Sequence, residues 1–149
     1  MRIVARGFTQ IELAVVLAIM ALLASFAIPR FTSIENEGRV AAIASLSASI
    51  RNASALAHAQ WLASDRPDTI DVEGQIVTMR NGYPDAGQTG LPTALPDAAG
   101  FSASITNGAV IYKKSGAPNP DQCSVVYSPP ATTDSPPRIL LVTPNLSGC

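Results

Sequence analysis

Residues 8–28 form a run of 21 positions with a single charge, and from residue 14 onward that run is apolar apart from Ser25. As a helix it reaches about 31 Å, the thickness of a bilayer hydrocarbon core. An apolar stretch of this length commits the chain to a long N-terminal helix that lipid or other helices must cover. The seven residues before it carry Arg2 and Arg6 and no acid, which holds that end on the cytoplasmic side of a membrane. A cleaved secretory signal has an apolar core of about 7–15 residues before its cleavage site. Ala24 and Ala27 mimic such a site, but the length of the run and the carboxylate inside it argue against that reading. The carboxylate is Glu12. A lone buried carboxylate costs several kcal/mol, so it needs a partner or a purpose. The plainer alternative is a carboxylate that snorkels to the headgroup level.

The rest of the 149-residue chain reads as one small domain. Val40, Ile43, Leu46, Ile50, Ala53, Ala57 and Trp61 recur at three- and four-residue spacing, which predicts an amphipathic helix over residues 34–63. Pro29 either bends the long helix or marks the end of its spanning half, and Asp65-Arg66-Pro67 closes it. Residues 69–72 and 75–80 flank Glu73-Gly74 as a hairpin, and Asn81-Gly82 marks a turn. Residues 85–100 read as a loop with a short helical turn. Residues 109–113, 124–127 and 138–142 read as further strands. A long helix followed by antiparallel strands is an α+β fold.

Net charge is −1, with no block of like charges, so nothing favours nucleic acid as a partner. No phosphate loop, nucleophile elbow or paired zinc spacing occurs, and no enzyme activity, metal or cofactor is expected. The single histidine, His58, lacks a Cys/His partner and reads as a packed or surface residue. Trp61 reads as a core anchor, and Lys113-Lys114 as a small exposed basic pair. Asn52-Ala53-Ser54 and Asn145-Leu146-Ser147 match a glycosylation pattern that is common by chance. Cys123 and Cys149 are the two cysteines, 26 positions apart. Pairing is the simpler reading, against two reduced thiols. It closes a loop worth about 3.5 kcal/mol and implies an oxidising compartment.

The string Arg6-Gly7-Phe8-Thr9-Gln10-Ile11-Glu12-Leu13, with Pro29 after the apolar run, resembles the N-terminus of type IV pilins and type II secretion pseudopilins. It departs at Gln10, where the family usually has Leu. The resemblance implies cleavage between Gly7 and Phe8 by a prepilin peptidase, and N-methylation of Phe8. It implies three segments: a leader, residues 1–7; a transmembrane and filament-core helix, residues 8–29; and a head, residues 30–149, with its sheet over residues 69–149. Removing the leader takes both N-terminal arginines, leaving eight basic and eleven acidic residues, a net charge of −3. It also creates an ammonium on Phe8 that Glu12 of a neighbouring subunit can pair with. Glu12, with Thr9 and Pro29, is thus implied in assembly, although Thr9 reads equally as an ordinary helix-start residue.

The Cys123–Cys149 bracket resembles the disulfide-bounded C-terminal region of type IV pilins. Major pseudopilins instead use a calcium loop, for which Asp121 and Asp134 are a poor basis. Ala57-His58-Ala59, the Val-Glu-Gly-Gln hairpin and the 81–86 segment resemble the mannose-sensitive haemagglutinin branch of type IVa pilins. The expectation is a homo-oligomeric filament subunit, held in the inner membrane before the pilus assembly machinery exports it into a surface filament for adhesion or motility. Its rivals are a minor pilin or pseudopilin, and a monomeric binding protein anchored by its N-terminal helix.

Overall fold

The computed structural model describes residues 9–95, 97–133, 135–142 and 148–149, with backbone alone for residues 27–32. The chain divides into two compact units, Met1–Glu35 and Asn36–Cys149. Helix α1, Gln10–Ala63, supplies residues to both. Its backbone is helical through Pro29, so that proline does not end the helix.

In the first unit the large apolar side chains of α1 are exposed in succession: Ile11, Leu13, Val15, Val16, Leu17, Ile19, Met20, Leu22, Leu23 and Phe26. In the second unit the helix has the opposite character. Ile43, Leu46, Ile50, Ala57 and Trp61 are buried on one face, with Val40 and Ala53 packed at its margin. The stretch Ser33–Ala63 is long and apolar enough to cross a membrane, but its apolar stripe is already covered by this core. The exposed run in the first unit is therefore the segment left needing lipid or partner helices.

The helix stops in a Schellman turn. Asp65 takes a left-handed φ of 61°, Arg66 N–H donates to the Trp61 carbonyl at 3.0 Å, and Pro67 blocks continuation. A three-stranded antiparallel sheet follows: β1 (Thr69–Val72), β2 (Gln75–Arg80) and the two-residue β3 (Tyr83–Pro84). After the short helix α2 (Leu91–Ala94) comes a four-stranded antiparallel meander. Its strands are β4 (Phe101–Thr106), β5 (Ala109–Lys114), β6 (Ser124–Ser128) and β7 (Arg138–Val142). The α+β architecture is the expected one, with the strands sorted into two sheets.

Two cores result. Ile43, Leu46 and Ile50 pack with Leu91, Val110, Tyr112, Val125 and Tyr127 over the larger sheet. Ala57 and Trp61 pack with Ile70, Val77 and Met79 over the smaller one. The Tyr127 hydroxyl, on the larger sheet, donates to the Pro84 carbonyl on the smaller one at 2.7 Å. Cys123 and Cys149 form a disulfide within the larger core, both fully buried.

Candidate functional site

The N-terminal end of α1 is built around two residues. Thr9 precedes the first helical residue, and Glu12 is the third residue of the helix, the spacing of a capping box. The bonds are reciprocal. The Glu12 amide donates to Thr9 Oγ1 at 3.2 Å, and the Thr9 amide donates to Glu12 Oε2 at 3.0 Å. The Thr9 hydroxyl also donates to Oε2, at 2.8 Å. Two amides that a helix start leaves unpaired are thereby satisfied. Both bonds to the carboxylate fall on Oε2, and Oε1 accepts none among the described residues. From sequence Glu12 reads as a charge in need of a partner or as a snorkelling group; the Thr-x-x-Glu spacing is the signal that marks it as a cap as well.

The exposed face of the first unit also has a pattern that composition hides. Ala14, Ala18, Ala21 and Ser25 recur at four-, three- and four-residue steps, so they share one side of the helix. Ser25 turns its hydroxyl back to the Leu22 carbonyl at 2.7 Å, which lowers its polarity toward the surroundings. A face of small side chains lets another helix approach closely, and van der Waals packing then replaces lipid contact.

Gly7 and Phe8 lie outside the described residues, as do Asp134 and the segment 143–147 that holds Asn145. Pro29 is placed only by its backbone. Cys123 and Cys149 are brought together as the sequence suggested. Their link is reinforced by Arg39, whose Nη1 donates to the Cys149 backbone oxygen at 2.8 Å, and by the Asn119 amide on the Gly148 carbonyl at 3.1 Å. Lys113 and Lys114 are not a free basic pair. Lys113 is in an ion pair with Asp121, and Lys114 Nζ donates to the Gly100 carbonyl and lies over the Phe101 ring. That leaves Asp121 committed to a cation, and no metal-binding cluster occurs among the described residues.

His58 is packed, parallel to Tyr83 with 4.2 Å between ring centroids and near Trp61 at 5.7 Å. Its Nδ1 lies 2.6 Å from the Gly82 carbonyl, which can only accept, so Nδ1 carries the proton. The short motifs around residues 57–59 and 81–86 thus meet as one aromatic cluster.

Over 56 residues the chain is 39% identical to the type IV narrow pilus major component PilA5 of Thermus thermophilus. The match takes in 38% of this chain and 48% of that protein, so the chain spans about half the length of the curated relative it matches. No protein-family profile and no solved structure matches the chain.

Proposed function

We propose that this chain is a structural, non-enzymatic subunit of a type IV pilus. In this reading a prepilin peptidase cuts between Gly7 and Phe8 and the new Phe8 amine is methylated. The 8–29 helix holds the subunit in the inner membrane. The pilus assembly machinery then packs that helix beside its copies in a homo-oligomeric extracellular filament, serving adhesion or motility. The observation that carries the proposal is the exposure of every large apolar side chain from Ile11 to Phe26. A simple anchor needs that surface only for lipid. The small-residue face and the carboxylate at the helix start favour a helix that also meets other helices. Glu12 Oε1 accepts no bond among the described residues, which leaves it an oxygen for a neighbour's Phe8 ammonium to pair with.

Two measurements test the proposal. Glu12→Ala should abolish surface filaments while leaving the subunit membrane-bound, because one partner of a buried ion pair is lost, at about 3–5 kcal/mol. Undiminished filaments would support the snorkelling alternative for Glu12 instead, whereas absence of filaments from the parent protein would support the anchored monomer. Mass spectrometry of the mature protein should find Phe8 first, with one added methyl, and an intact Met1 would rule out the processing step.

A further inference from the structure

We infer that the head domain holds a binding site for a small organic carboxylate, between α1 and strands β3 and β7. A cavity of about 380 Å³ opens there, within the range of small-molecule sites. Arg51, Ser54 and His58 enter it from one face of α1, at three- and four-residue spacing. Tyr83 closes one side, and Pro137 and Ile139 form an apolar wall.

The polar groups in this cavity share a chemical bias. Arg51 makes no ion pair and no hydrogen bond among the described residues. His58 has its Nδ1–H engaged with the Gly82 carbonyl, so its ring contributes a stacked face and no free donor to the cavity. The Tyr83 hydroxyl has no hydrogen-bond partner among the described residues. Ser54 Oγ is buried beside the Tyr127 phenol, yet makes no hydrogen bond of full geometry. No carboxylate lines the cavity among the described residues. Among the described residues the site therefore offers one fixed positive charge, the Tyr83 hydroxyl as a neutral donor, and no fixed negative charge. That set complements a single negative charge with lone pairs on two oxygens, which is a carboxylate held by a guanidinium. A dianion would exceed the charge available. The apolar wall and the stacked His58 and Tyr83 rings suit a flat or apolar body of modest size. The stacking also fixes both rings in advance, so little side-chain freedom remains to be lost on binding.

This inference concerns the head alone and stands apart from filament assembly. The test uses the full-length protein in detergent micelles, titrated with benzoate and followed by NMR. His58 is the only histidine, so its ring protons report on the cavity without ambiguity. Benzoate should shift them saturably, with a dissociation constant in the range of about 0.1–10 mM for so small a ligand. Arg51→Gln should weaken binding at least about tenfold through loss of the charge-assisted bond. Arg51 is exposed and its aliphatic stem is retained as far as Gln allows, so an unchanged thermal melt should accompany the loss. Benzyl alcohol, of similar shape but neutral, should give no saturable shift. Absence of a benzoate response would overturn the inference. So would equal binding by the Arg51→Gln protein, or an equal response to benzyl alcohol.

Discussion

In the proposed filament two sets of donors would compete for the Glu12 carboxylate: the Thr9 groups that it holds within the chain, and the amine of a processed neighbour. Substitutions separate them, because a capping box accepts Gln in place of Glu whereas an ion pair does not. Glu12→Gln should keep the helix start ordered, with helical signal near that of the parent, yet lose most filaments. Thr9→Val should do the reverse, fraying the first turn at a cost of about 1 kcal/mol while filaments still form. Circular dichroism and filament yield, measured on both variants, decide whether charge or cap matters more. If Glu12→Gln assembled normally, Glu12 would be a cap and nothing else. Gly82 is a second residue with a sharp constraint. Its φ is +84°, and an added Cβ would lie 2.8 Å from a Trp61 ring carbon. Gly82→Ala should therefore destabilise the head by about 2 kcal/mol, through backbone strain and a clash with a rigid ring. Trp61 is the only tryptophan, so its fluorescence should follow the lowered melting transition directly.

The elements differ in how much of them the sequence exposes. The helix end at Ala63 and strands β1, β2 and β7 were legible because apolar period, turn residues and proline all agreed at those places. Strand β4 goes unread although Phe101, Ala103 and Ile105 alternate with Ser102, Ser104 and Thr106; as an edge strand with mostly exposed side chains, it lacks a buried face of large residues to make that alternation stand out. A further signal lies in the next two residues. Asn107 and Gly108, at φ 52° and 72°, make the same kind of turn as Glu73-Gly74 and Asn81-Gly82. Reading that dipeptide would have paired β4 with β5. At the candidate site, Cys123 and Cys149 could be paired by counting, but the Arg39 bond to the Cys149 backbone could not, since it joins positions 110 apart. Strand β6 begins one residue after Cys123, and the disulfide ties it to the end of the described chain. Replacing both cysteines by alanine should cost about 3.5 kcal/mol in denaturant unfolding, mostly by freeing the unfolded loop. A loss below about 1 kcal/mol would mean that the Arg39 and Asn119 bonds hold the segment without covalent help.

Across the whole head, two phenols buried in one core couple its stability to alkaline pH. Burial pushes Tyr112 up to about 12 from its ordinary value near 10. Burial also raises Tyr127, with the neighbouring Ser54 hydroxyl opposing that rise. An unfolded chain releases both protons near pH 10 while the folded chain keeps them. Folding stability is therefore fully present below about pH 10 and falls as pH rises from there toward 12, by about 2–3 kcal/mol for Tyr112 alone. The two residues differ at neutral pH. The Tyr112 hydroxyl is buried without a partner among the described residues, whereas Tyr127 donates to Pro84 and joins the two sheets. Tyr112→Phe removes an unsatisfied buried group and should leave stability at pH 7 unchanged or slightly raised. Tyr127→Phe should lower it by about 1 kcal/mol and loosen the smaller sheet from the larger. Both variants should show a shallower decline in denaturant midpoint between pH 9 and pH 11 than the parent. A decline as steep in both as in the parent would place the alkaline sensitivity outside these phenols. A shallower decline in Tyr112→Phe alone would mean that Tyr127 releases its proton at the same pH folded and unfolded, so that it contributes through the Pro84 bond and not through its proton.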